Sequence, residues 1–324
     1  MVTIGIPRAL LYYQYYPMWL TFFQELGAQV VVSPPTNRAT LAEGVSRAVA
    51  ETCLPVKVFC GHVVSLIGAC DYVFVPAIRS MAYKVHNCSK FLGLPDLTRA
   101  VVPESPPILE VEIDVDQGKR ALYQAIYSLG RRFSCNPLKV KRAAQSAWQA
   151  HQDYVARMRS QGLTPLQVLE GQSIRDETRG YHLSLAVIGH PYLVYDSFVN
   201  HRLLERLDRG GVKVYTPEMV PQAGLDEAMA QIVGQAYWTY EAEVVGAGGY
   251  YLENQVAGVI GVAAFGCGPD SLMFEMVERR AKKLRGCSFM SLMLDEHTAE
   301  AGLVTRLEAF LDMIQRRRQV TACG

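Results

Sequence analysis

At 324 residues and half hydrophobic, the chain is long enough for two domains, each with its own core. Its 32 Lys and Arg balance 31 Asp and Glu, and the net charge of +1 gives no electrostatic pull toward nucleic acid or an anionic membrane. No apolar stretch reaches the length of a membrane span, and the opening MVTIGIPRALLYY lacks the charged-then-apolar pattern of a secretory leader, so a soluble cytoplasmic protein is expected.

Residues 2–6 (VTIGI) read as a short strand, and an amphipathic helix follows from Leu10 to Leu26, stopped at Gly27. A second apolar run lies at 29–34 and a helical pattern at about 40–51. DYVFVPAI at 71–78 and PILEVEI at 107–113 read as two further strands. Residues 136–160 are polar and poor in β-branched types, which suits a connecting helix. The alternation then restarts with LSLAVIGHPYLV at 183–194, a helix over about 197–209, a strand at 213–220, another helix and GVIGVAAFG at 258–266. It closes with SFMSLML at 288–294 and a helix over about 298–318. The expected fold is α/β: two flavodoxin-like, doubly wound domains, 1–134 and 181–324, joined by a helical connection over 135–180. In such sheets ligands bind beyond the carboxyl ends of the strands.

Eight cysteines are too few, in so long a chain, for a disulfide framework. Three stand out by position. Cys53 (ETCLPVK) ends a helical pattern just before a Leu-Pro helix start, and Cys88 (HNCSKFLGLPD) lies in the loop after the 71–78 strand. Cys267 (AFGCGPDS) directly follows a strand, between Gly266 and Gly268, with Asp270 at the start of the next helix. Unpaired backbone N–H groups at element ends can donate to sulfur, and glycines let the main chain approach an inorganic sulfide, so the placement suits a metal thiolate. Gly-Cys-Gly-Pro-Asp reads equally well as a tight turn with a buried thiol. No CxxC pair or compact ferredoxin run is present. Cys60, Cys70, Cys135 and Cys287 sit in or beside apolar segments and are assigned to packing; Cys323 is in the tail.

Two further groups follow strands, and two histidines lie near the proposed ligands. His190 in GHPY could donate to a substrate or sulfide, or be a satisfied structural histidine. Glu296 and His297, after SFMSLML, could shuttle a proton, while Asp295 or Thr298 could simply cap the helix. His62 and His86 are candidates for a fourth metal ligand.

IGIPRALLYYQYYP with Trp19, VSPPTN at 32–37, CLPVKVF at 53–59 and KFLGLPD at 90–96 resemble the N-terminal module of proteins related to activators of 2-hydroxyacyl-CoA dehydratases. WTYEAE at 238–243, GAGGYYLE at 246–253, FGCGPDS at 265–271 and LDEHTAEAGLVTRLEAF at 294–310 resemble the C-terminal part of the same superfamily, with its cluster-bearing dehydratase and benzoyl-CoA reductase subunits and double-cubane proteins. The resemblance implies an iron–sulfur cluster, 4Fe-4S or a bridged double cubane, with Cys53, Cys88 and Cys267 as ligands. It implies a low-potential reductase or dehydratase, or else an electron-transfer or scaffold protein without a substrate pocket. The chain would be a homodimer or one of a pair of cluster subunits, and a separate ATP-hydrolysing activase would supply the electrons, since neither a GxxxxGK[ST] loop nor a DxGSTxxK turn occurs. A binding domain without a cluster is the remaining reading.

Overall fold

The computed structural model describes residues 1–171, 180–254, 256–284 and 287–322, and the side chains among these up to 319. Two compact units divide them: 1–158 with 237–239, and 159–236 with 240–324. Parallel sheets and helices make the chain an α/β protein. No helix among the described residues is long and apolar enough to cross a membrane.

In the first unit, β1 (Thr3–Ile6) leads into α1 (Tyr12–Leu26), which stops at Gly27 in left-handed conformation. Then come β2 (Gln29–Val32), α2 (Arg38–Arg47), α3 (Leu54–Val64) and β3 (Tyr72–Phe74). Asn37 caps α2 by accepting from the backbone N–H groups of Ala39 and Thr40. The helix then ends at Arg47, short of the expected 51. Helix α1 buries Tyr12, Tyr13, Trp19, Phe22 and Phe23, so its tyrosine-rich start contributes to packing. Trp19 and Phe23 bring their ring centroids to 4.5 and 5.1 Å from that of Phe74.

The run expected as one strand over 71–78 breaks at Pro76, which has no N–H to give to a ladder. Beyond it, β4 (Ala77–Ala82) belongs to a second sheet with β5 (Val85–His86). Two helices follow, α4 (Ser89–Leu92) and α5 (Leu94–Val101). The 107–113 run divides in the same way, into β6 (Ile108–Leu109) beside β3 and β7 (Glu112–Asp114) beside β4. The main sheet has the order β2-β1-β3-β6, parallel throughout, and the small one β5-β4-β7. Helices α6 (Lys119–Arg131) and α7 (Pro137–Gln161) follow, and α7 anchors itself in the first unit where the Tyr154 hydroxyl donates to the Tyr13 carbonyl at 2.6 Å.

The second unit begins with α8 (Pro165–Glu170) and continues through β8 (Leu183–Gly189), α9 (Pro191–Val194), α10 (Leu203–Arg209) and β9 (Val212–Tyr215). After these come α11 (Gln222–Ile232), α12 (Ala247–Glu253), β10 (Gly258–Ala264), α13 (Gly268–Lys283), β11 (Ser288–Leu294) and α14 (Glu300–Ala322). Strands β8 and β10 are almost wholly buried and read as near-continuous apolar runs, broken in β8 only by Ser184, as central parallel strands do. The expected helix over 197–209 begins only at Leu203. Before it, Asp196 accepts from the N–H groups of Phe198 and Val199, and Asn200 donates to the carbonyls of Leu193 and Val194, holding a tight non-helical turn.

Candidate metal centre

The second unit's sheet has the order β11-β10-β8-β9. From β8 the chain moves to one edge to place β9, then returns past β8 to add β10 and β11. Strand order therefore reverses between β8 and β10, and at such a switch point a crevice opens beyond the carboxyl ends of the two strands. His190 is the first residue beyond β8, and Cys267 follows β10 after Phe265 and Gly266.

Local sequence fixes both side chains. His190 and Cys267 each occupy the position preceding a helix, with extended backbone, and Pro191 or Pro269 in the first turn enforces the break. Gly266, at φ +78°, provides the left-handed turn that directs the chain from β10 into α13. Neither His190 nor Cys267 caps its helix through its side chain. Asp270 lies in the first turn of α13, where a carboxylate suits the helix dipole. Its Oδ2 accepts from the N–H of Ala264 at 3.2 Å, closing the loop back onto the strand end.

Among the described residues, His190, Cys267 and Asp270 form the set of metal-ligating side chains whose donor atoms converge, all within 4.8 Å of one another. His190 is 5% and Asp270 0% exposed, and Cys267 is half-buried. Nδ1 of His190 lies 2.8 Å from Oδ1 of Asp270, a distance suited to an ion pair. The alignment is nonetheless wrong for a hydrogen bond, and both atoms are buried without one. Burying an unsatisfied polar atom costs on the order of 1–3 kcal/mol. A cation between the two would remove that cost for both, and the imidazole, thiolate and carboxylate set suits a borderline-soft divalent ion.

Aromatic rings hold the imidazole in place. Tyr192 stacks on it at 5.0 Å and Tyr240 meets it edge-on at 4.6 Å. Directly after buried Glu241 the backbone passes through a π-helical turn, Ala242–Gly246, a distortion common beside functional sites. A Cβ at Gly268 would meet nothing within 4 Å, so the start of α13 is open there.

The other expected site residues lie elsewhere. Cys53 and Cys88, both half-buried, precede α3 and α4 in the first unit, again with no side-chain cap. His62 is fully buried, with Ser33 Oγ 2.9 Å from Nδ1 and Thr36 Oγ1 2.9 Å from Nε2, so both ring nitrogens are engaged. His86 has Nδ1 3.6 Å from Asp116 Oδ2. The side chain of His297 is 84% exposed and comes no closer than 4.0 Å to Glu296 Oε1, while the Thr298 hydroxyl donates to Asp295 Oδ1 and accepts from the Asp295 N–H, closing the turn that precedes the last helix. Cys60 and Cys287 are buried, and Cys70 packs where a Cβ on Gly5 would lie 2.6 Å from its sulfur. Cys135, expected in packing, is exposed in the turn between α6 and α7, where its carbonyl accepts from Arg131. Cys323 lies outside the described residues.

In the sequence Asp270 stands only as part of a helix start. Its signal is the spacing in Cys-Gly-Pro-Asp, which puts a carboxylate at the third helical position, from which a side chain reaches back over the helix start. Tyr192 and Tyr240 carry no such signal.

A family model described as the CoA enzyme activase uncharacterised domain matches residues 3–220. No curated protein matches the sequence. The family match overturns membership among the cluster-bearing dehydratase and benzoyl-CoA reductase subunits. With it fall the reductase or dehydratase activity, the electron-relay alternative, the iron–sulfur oxidoreductase and lyase classification, and the expected partners: a separate activase, a paired cluster subunit or a second copy. The physical reason is where the resembling residues lie. Of those in the first unit, Pro55 and Pro95 start helices, Asn37 caps α2, and Trp19 fills the core. Such residues report a scaffold, and a scaffold does not specify a reaction. Cys267 and Asp270 lie beyond the matched span. The match covers well over half of the sequence, and the chain belongs to the CoA enzyme activase uncharacterised domain family.

Proposed function

We propose that the chain acts on the activator side of a CoA enzyme, in the cytoplasm, through a metal centre built on Cys267. The observation that carries this reading is the meeting of Cys267, His190 and Asp270 at the switch point of the second unit's sheet. The family description supports the activator role. The strand orders β2-β1-β3-β6 and β11-β10-β8-β9 support two flavodoxin-like, doubly wound domains.

The metal group of this reading is an iron–sulfur cluster of the 4Fe-4S type, and the thiolates offered to such a group are Cys53 and Cys88 in the first unit and Cys267 in the second. Support comes from their common placement: each precedes a helix without capping it, beside N–H groups that can donate to sulfur.

The test is iron and acid-labile sulfide content of anaerobically purified wild-type protein and its Cys53→Ser, Cys88→Ser and Cys267→Ser variants, with the rate of a CoA enzyme measured on adding each. Wild-type protein should carry iron and sulfide and accelerate the enzyme, and each variant should lose both properties. Unchanged metal content in Cys267→Ser would overturn the reading.

A further inference from the structure

We propose that the second unit contains a complete divalent-metal site of its own, with His190 Nδ1 and Asp270 Oδ1 as ligands beside Cys267 Sγ. The inference rests on the preceding reading in one respect, that Cys267 ligates metal. It departs in naming two non-sulfur ligands and in needing neither Cys53 nor Cys88.

Three independent features of the unit point to an ion. The donor atoms of the three side chains lie within 4.8 Å of one another, although they come from loops after two different strands. Two of these atoms are buried and lack a hydrogen bond, despite lying 2.8 Å apart. The surroundings fix the donors in advance: the rings of Tyr192 and Tyr240 confine the imidazole, and the Ala264 N–H holds the other carboxylate oxygen of Asp270. Fixed outer partners of this kind orient ligands for a metal.

Size and charge agree. Zinc-type bonds of about 2.0–2.3 Å to N, O and S place donors of one ion roughly 3.3–3.6 Å apart. The 2.8 Å pair therefore spreads by about half an ångström on binding, and the looser thiol contact closes. A thiolate and a carboxylate neutralise a divalent ion, so the filled site carries no buried net charge. Three protein ligands leave a fourth position for water or a substrate donor, the pattern of zinc sites that do chemistry.

Co²⁺ is the probe, because its thiolate charge-transfer and ligand-field absorption report sulfur ligation and tetrahedral geometry directly. The full chain, freed of metal anaerobically, should bind one Co²⁺ with both features. Cys53→Ser/Cys88→Ser should bind it equally well. His190→Gln and Asp270→Asn should weaken binding by at least about tenfold, and Cys267→Ser should abolish the charge-transfer band. His190→Cys, which keeps a donor, should retain the ion with a stronger charge-transfer band, separating ligation from a mere fold defect. Full binding by both His190→Gln and Asp270→Asn, or loss in Cys53→Ser/Cys88→Ser, would overturn the inference while leaving Cys267 a ligand. An unaltered spectrum in Cys267→Ser would overturn the preceding reading as well.

Discussion

A Cβ on Gly61 would lie 1.9 Å from the carbonyl oxygen of Thr40, and one on Gly44 would lie 1.8 Å from the carbonyl oxygen of Lys57. Helices α2 and α3 thus cross backbone to backbone, each through a glycine of its own. Neither carbonyl is the end of a flexible side chain, so the helices must separate to admit even a methyl group.

Gly61→Ala should therefore destabilise the protein by at least about 1–3 kcal/mol, the usual range for overpacking. Gly302 is the control: it lies in α14, and a Cβ there meets nothing within 4 Å. Gly302→Ala should stabilise by about 0.5–1 kcal/mol through helix propensity and the entropy of the unfolded chain. Urea unfolding midpoints check both, and equal midpoints for the two variants would contradict the packing argument.

His62 gives a pH dependence with a definite sign. Burial, then the nearby Arg8 charge, lowers its pKa from 6.5 to about 4. The unfolded chain therefore binds a proton that the folded chain refuses between those two values. The stability from neutral His62 is fully present above about pH 6.5 and is lost as the pH falls toward 4. The full effect is on the order of 3 kcal/mol. Unfolding free energies at pH 7 and pH 4.5 should show the decline, and His62→Gln should flatten it. A variant that keeps the whole slope would show that other groups cause it.

How far the sequence revealed these features depends on the range of the forces behind them. Strand 288–294 and the helix stopped at Gly27 were legible, because apolar period and left-handed glycine are local signals. The division of 71–78 and 107–113 into two sheets was not, since each half pairs with a segment more than 30 residues away. At the candidate site, Cys267 and His190 were legible as residues just past strand ends. That they meet, and meet Asp270, depends on β8 lying beside β10, which local sequence does not encode. Cys135 misled because, of its apolar neighbours, Phe133 packs against Phe23 while Leu138 is 64% exposed and the turn itself faces water.

Thiol reactivity should separate the cysteines by environment. Burial pushes the Cys60 and Cys287 thiols up to about 11, whereas Cys135 is exposed. The thiolate is the reactive form, so iodoacetamide on native, metal-free protein at pH 7.5 should modify Cys135 first and leave Cys60 and Cys287 intact until denaturant is added. Peptide mass mapping over time checks the order. Cys60 modified as fast as Cys135 would show that α3 opens locally.

The last prediction joins the fold to the site. Gly189 ends β8 at φ +151°, and a Cβ there would lie 2.4 Å from the carbonyl oxygen of Val262, its partner in β10. It is also the residue just before His190, at the point where the strand order reverses. Gly189→Ala therefore meets both an unfavourable backbone conformation and a clash with a neighbouring strand, and the strain is relieved most directly by moving β8 and β10 apart at their carboxyl ends. That movement takes His190 away from Cys267 and Asp270, although the substitution touches no donor atom. Gly189→Ala should thus lower Co²⁺ affinity by at least about tenfold, as loss of outer support does, while its far-ultraviolet circular dichroism stays that of an α/β fold. Gly180→Ala, where a Cβ meets nothing within 4 Å, should bind like wild type. If Gly189→Ala folds and binds Co²⁺ at full affinity, the spacing of β8 and β10 does not set the geometry of the three ligands.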